Sequence, residues 1–169
     1  MTSPSETTGV RVCLFELAGQ HFGLRLESVS EIAPMASLSR PPSMPSILEG
    51  FLNLRGTSVP VLKLAVLLGL PQDRLGLHTP LVIVRGRTVP IALLVNAVHA
   101  IVVVPAADLS SIPESDTFNG CVESALTANG SAVHLLSLEG LLLEKERQTL
   151  AEAQATETRR LRQANQSQS

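Results

Sequence analysis

The run Asn53-Leu54-Arg55-Gly56-Thr57-Ser58-Val59-Pro60-Val61 constrains this chain more than any other stretch. Phe51 to Leu54 leads into Arg55-Gly56, where glycine supplies the positive φ of a tight turn, and Ser58 to Leu64 runs back. The segment therefore reads as a β-hairpin. Thirty positions on, Arg85-Gly86-Arg87-Thr88-Val89-Pro90-Ile91 repeats the Arg-Gly and Val-Pro pattern behind the apolar lead-in Leu81 to Val84. The repetition predicts two similar hairpins anchoring two similar small β units.

Side chains alternate along a strand, so Leu52 and Leu54 share one face while Phe51, Asn53 and Arg55 share the other. With the leucines inward, an aromatic ring, an amide and a guanidinium project together beside Gly56. That is the composition of a contact surface rather than of a core.

The rest of the chain fits one compact domain, or two small lobes sharing an interior. Its 169 residues are 44% hydrophobic, almost all Leu, Val, Ile and Ala, with four Phe and neither Trp nor Tyr. Stability must come from aliphatic packing. A net charge of -2 with no basic stripe and no interleaved aromatics excludes a nucleic-acid role. The start has no charged-then-apolar leader, and the greasiest run, Ala97 to Val104, is broken by His99 and ends at Pro105, so no membrane insertion is expected. Cys13 and Cys121 are too far apart for a zinc or redox motif and read as buried thiols.

Residues 1–9 are polar and expected to be disordered. From Val10 a strand alternates to a turn at Ala18-Gly19-Gln20 and returns through His21 to Leu26; Val29-Ser30-Glu31-Ile32-Ala33 is a further strand. Parity there places Val29 and Glu31 outward and Ile32 inward. The proline-rich run 34–45 is an extended loop, and Ser46 to Glu49 a possible helical turn. Ala65 to Leu70 reads as a short helix stopped by Gly69 and Pro71. Leu81 to Arg85, Thr88 to Val95 and Ala97 to Val104 show almost no polar alternation, so three strands buried on both faces are expected. Cys121 to Leu126 and Val133 to Leu136 pair across Ala128-Asn129-Gly130. Eight or nine short strands with little helix predict an all-β fold of small barrels. Ser137 caps a C-terminal helix, and the tail 144–169 is expected to be helical, solvated, partly disordered and frayed by Asn165.

Nothing in the pattern is catalytic. His21, His78, His99 and His134 fit no metal spacing, and there is no nucleophile elbow, phosphate-cradling loop or paired carboxylate on a rigid element. No cofactor or metal is implied. Two other readings stay open: an enzyme or small-molecule binder using the cleft between lobes, and a structural protein that self-assembles through the Glu144 to Arg162 helix.

In chain order, Phe15 and Gly23, Val29-Ser30-Glu31-Ile32, Pro45-Ser46-Ile47-Leu48-Glu49-Gly50, Asn53-Leu54-Arg55-Gly56 with Val59-Pro60-Val61, Leu68-Gly69-Leu70-Pro71, Leu94 to Val98 and Leu135 to Leu143 form an ordered set. Over residues 10–143 the chain resembles the CheW-like domain family. The resemblance implies two intertwined five-stranded SH3-like β-barrels. It also implies a stand-alone, cytoplasmic, non-enzymatic adaptor between a CheA-type histidine kinase, through its regulatory CheW-like domain, and the cytoplasmic tip of methyl-accepting chemoreceptors. Family contact residues then fall on Val29, Glu31 and Arg55. Lys63 departs from the pattern, standing where the family usually has an acid. The long tail and the lack of a fused kinase or receiver domain suggest a specialised pathway, such as pilus or surface motility.

Overall fold

The computed structural model describes residues 9–74, 76–114 and 117–167. The chain forms β1 (Gly9–Leu17), β2 (Gln20–Arg25), β3 (Val29–Pro34), β4 (Leu48–Leu54), β5 (Thr57–Leu62), α1 (Leu64–Leu67), β6 (Pro80–Val84), β7 (Ile91–Leu94), β8 (Ala97–Pro105), β9 (Val122–Ala128), β10 (Ser131–Leu136) and α2 (Leu138–Gln166). The ten strands make two five-stranded sheets, in the orders β8-β1-β2-β10-β9 and β3-β6-β7-β5-β4. Exchanging β1–β5 for β6–β10 converts one order into the other. The chain is thus two copies of one five-strand unit, each of which gives its first two strands to one sheet and its last three to the other. This is the intertwined all-β architecture expected, with the difference that each sheet is curled without closing into a hydrogen-bonded cylinder.

The internal repeat is real, but it does not run through Arg85-Gly86. Lys63 N donates to Ile47 O at 2.7 Å, and Ser137 N to Cys121 O at 2.7 Å, so around the last two strands of each unit equivalent positions lie 74 apart. The counterpart of Arg55-Gly56 is Asn129-Gly130, the β9–β10 turn; in both pairs the two central residues have positive φ (49° and 86°; 52° and 77°). Arg85-Gly86 instead opens a six-residue loop between β6 and β7, where a Cβ on Gly86 would stand 1.9 Å from Val89 O. Its glycine serves a close backbone approach rather than a tight turn.

Three apolar clusters hold the molecule together. Leu52, Val59, Val61, Leu81, Ile83, Ala92 and Leu94 fill the β3–β7 sheet, with Ala33 of β3 packing on the same cluster as Leu52 of β4. Those strands are the opposite edges of that sheet, so the sheet must curl round its own interior. Val12, Leu14, Val104, Leu126, Val133 and Leu135 do the same in the other sheet. The largest cluster lies between the sheets and gathers Phe15, Phe22, Leu24, Leu62, Leu64, Leu67, Val84, Leu93 and Leu141. Phe22 is its hinge point, with ring contacts to Phe15, Phe118 and His134 at 6.2, 5.6 and 5.8 Å.

Helix α2 starts where Ser137 Oγ accepts a hydrogen bond from Gly140 N at 3.1 Å. Gly140 allows the first turn to lie against the backbone of Gly120, since a Cβ there would stand 2.5 Å from Gly120 O. Buried Glu144 is held by Arg147 and Gln148, and Gln148 Nε2 donates to Leu67 O at the end of α1 (3.1 Å). One turn further, the Glu152 carboxylate accepts from Ser46 N and Ser46 Oγ at 3.0 and 2.9 Å. The helix therefore docks on the body as far as Glu152, and its helical geometry continues to Gln166.

Other expectations change in detail. Gly9 already belongs to β1, and the remainder of the segment expected to be disordered, residues 1–8, lies outside the described residues. Ser46 and Ile47 form a turn leading into β4, not a helical turn. Strands β6 and β7 are buried on both faces, whereas β8 alternates because it is the edge strand beside β1.

Candidate partner-binding face

Arg55 and Gly56 are the two central residues of the β4–β5 turn. Asn53 Oδ1 accepts from Gly56 N at 3.0 Å, and this side-chain bond fixes the turn and with it the direction of Arg55. The guanidinium leaves the turn and forks onto Glu31 of β3, Nη2 to Oε1 at 2.6 Å and Nη1 to Oε2 at 3.4 Å. Hydrogen bonding to Glu31 and its charge raise the Arg55 pKa further, so the group is a permanent cation. The side chains of Arg55 and Glu31 remain 73% and 34% exposed. A partner can therefore engage a preoriented planar fork without first ordering it.

Glu31 reaches this position because β3 carries a bulge. Val29 pairs with Val84 and Glu31 with Ile83, leaving Ser30 as the extra residue. A bulge of one residue inverts parity on its far side. Val29 consequently packs against the cluster between the sheets, while Glu31 follows Ile83 and Ala33 to the rim of the other cluster. The expectation that Val29 and Glu31 share an outward face is thus corrected. Ile32, expected inward, is exposed.

Phe51 also departs from strict alternation in effect. It lies on the same side as Asn53, but packs against the cluster between the sheets, and its backbone N–H and C=O pair with Ser39 at 2.8 Å each. Together with Ser37, Leu38, Ser39, Leu52, Asn53, Gly56 and Ser58 it lines a shallow depression of ≈ 420 Å³ beside the turn. Glu31, Asn53, Arg55 and Gly56 thus converge on one rim, Phe51 forms the floor next to it, and Val29 lies elsewhere. Lys63 sits 3.8 Å from Glu49, which also pairs with Arg40, so its unusual positive charge is met locally.

Sequence reasoning missed the exposed aliphatics Ile32, Ile101 and Val103. Ile32 and Ile101 are equivalent positions of the two units. In β8 the register shift leaves His99 as the extra residue, as Ser30 is in β3. Neither bulge leaves a compositional mark, so only the internal repeat could have aligned them. Among the described residues, no group of three or more His, Cys, Asp or Glu is placed to share a metal, and no helix is long and apolar enough to cross a membrane.

Two curled sheets with an exposed, preoriented ion pair on one rim are the architecture of a small all-β domain. The family model for the CheW-like domain matches residues 11–146, and the chain belongs to that family. A probable chemotaxis protein CheW of Rhizobium etli is 30% identical over 135 residues, covering 78% of this chain and 86% of its own length. The chemotaxis protein CheW of Bacillus subtilis is 25% identical, covering 63% and 69%. The crystal structure of the scaffolding protein TtCheW from Thermoanaerobacter tengcongensis superposes with a TM-score of 0.75 at 23% identity, over 83% of this chain and 92% of that one. These relatives are chemotaxis and scaffolding proteins, a non-enzymatic class.

Proposed function

We propose that this chain is a cytoplasmic adaptor that couples a CheA-type histidine kinase to the cytoplasmic tips of methyl-accepting chemoreceptors, in a chemotaxis or pilus-type motility pathway. The observation that carries this reading is the Arg55–Glu31 fork on the rim of the β3–β7 sheet. It supplies a charged, geometrically fixed contact next to a shallow depression suited to a partner's loop. The adaptor performs no chemistry. Its effect is a coupling free energy: by holding kinase and receptor in one geometry, it makes a change in one alter the other.

The decisive experiment is reconstitution with kinase and receptor from the same cell. Wild-type protein is expected to co-sediment with both and to raise kinase autophosphorylation. Arg55→Glu, folded as judged by its thermal transition, is expected to lose binding to at least one partner. Normal binding and activation by that variant would remove Arg55 from the interface. Failure of the wild-type chain to capture any histidine kinase would overturn the adaptor reading itself.

A further inference from the structure

We propose that the solvent face of α2 is a self-association face, and that it receives α2 of a second copy of this chain in antiparallel orientation. One side of α2 is committed to the body through Leu141, Glu144, Gln148 and Glu152. On the opposite side Leu143, Leu150 and Leu161 are 52%, 60% and 58% exposed. Their spacings, 150 − 143 = 7 and 161 − 150 = 11, are two and three helical turns. At about 100° per residue the three leucines fall within roughly 20° of one another. A merely solvated helix does not require leucines in line, whereas a helix that pairs does.

The occupant follows from the charges. Between positions 144 and 157 the helix carries Glu144, Glu146, Glu152 and Glu157 against Lys145 and Arg147; beyond that it has Arg159, Arg160 and Arg162 and no acid. A parallel pair would gather both arginine clusters at one end. An antiparallel pair lays the arginine end of each helix beside the acidic part of the other and sets Leu143 near Leu161 of the second copy. Glu146, which also meets Arg87 of the body at 3.3 Å, and Arg160 lie on one flank of the leucine line, whereas Glu144 is buried against the body and takes no part. In an antiparallel pair the same flanks face each other, so Glu146 of each copy meets Arg160 of the other. Glu152, close to the midpoint, points at Ser46 and hence away from the leucines. The two bodies therefore sit on the outer sides of the helix pair.

Such a contact is small, below the roughly 1,200 Å² of standard interfaces, and is weak in dilute solution. It becomes effective when the chains are already held near each other, as partners that bind several adaptors would hold them. This linkage between adaptor copies is independent of which proteins occupy the Arg55 rim.

Sedimentation equilibrium of the full chain from about 10 μM to about 1 mM tests it, a range set by the expected weakness. The weight-average mass is expected to rise from 18.0 kDa toward twice that value, and Leu150→Glu combined with Leu161→Glu to remain monomeric throughout. Glu146→Arg is expected to weaken association at least fivefold, and adding Arg160→Glu to recover it. If the leucine variant loses its helix, that charge pair alone decides. A constant monomer mass for the wild type, unaltered association of the leucine variant, or no recovery with the charge exchange overturns the proposal. So does a disulfide between copies of Ala164→Cys under oxidation, since antiparallel helices hold those positions about 30 Å or more apart.

Discussion

Arg55, in the turn that ends the edge strand β4, and Glu31, on the opposite edge strand β3 of the same sheet, meet at 2.6 Å across the gap that the curled sheet leaves. The pair is a bracket between edges as well as a contact surface. Exposure and solvent screening keep its contribution to stability small, while its rigid fork suits it to recognition. Arg55→Ala is expected to leave the unfolding transition nearly unchanged and to weaken partner affinity roughly tenfold or more, as loss of a central arginine anchor does. Calorimetric titration together with a thermal melt separates the two effects; a large fall in melting temperature without loss of affinity would contradict this assignment.

Gly140→Ala sets two effects against each other. Helix propensity favours alanine by about 1 kcal/mol. A Cβ at this position, however, would stand 2.5 Å from Gly120 O and 3.3 Å from Cys121 Cα, and backbone atoms cannot step aside as a flexible side chain can. The clash is expected to win, for a net loss of about 1–3 kcal/mol and a fall of several degrees in melting temperature.

Glu144 predicts a pH dependence with a definite sign. Hydrogen bonding from Arg147 is the main cause holding its pKa below the ordinary 4.5; burial opposes this, and Gln148 and the Arg147 charge add to it. Because the folded value is the lower one, the stabilisation is fully present above the unfolded pKa and is lost as pH falls through the folded pKa. Glu144→Gln should therefore be less stable than wild type at pH 7. By urea titration the difference should shrink below about pH 4.5.

Cys121 lies at the foot of α2, fully buried, and burial, reinforced by the nearby Glu144 charge, pushes its thiol up to about 12. Cys13 is likewise buried and its thiol raised by burial. Neither forms thiolate at neutral pH. A colorimetric thiol reagent is expected to find no fast-reacting group in the native protein and two after denaturation; rapid native labelling would contradict this.

Much of this architecture was legible because turn chemistry is local. Asn129-Gly130 and Arg55-Gly56 declare themselves as hairpins through residues that tolerate positive φ, and the family resemblance ordered the strands around them. What stayed hidden depends on neighbours. Ser30 looks like any strand serine, yet as the extra residue opposite Val84 and Ile83 it reverses every side chain after it, and so separated Val29 from Glu31. Arg85-Gly86 copies the letters of the true turn, but its glycine answers to the Val89 carbonyl. Leu143, Leu150 and Leu161 are too widely spaced to read as a stripe until the helix is known to continue unbroken to Gln166.

The division of each unit between the two sheets, two strands in one and three in the other, has a further consequence. If the chain were severed in the loop before β6, each fragment would carry two strands of one sheet and three of the other, and would complete neither. Neither piece has a finished interior to fold around, so the halves are viable only as a mutual complement, as in a swapped dimer whose protomers happen to share one backbone.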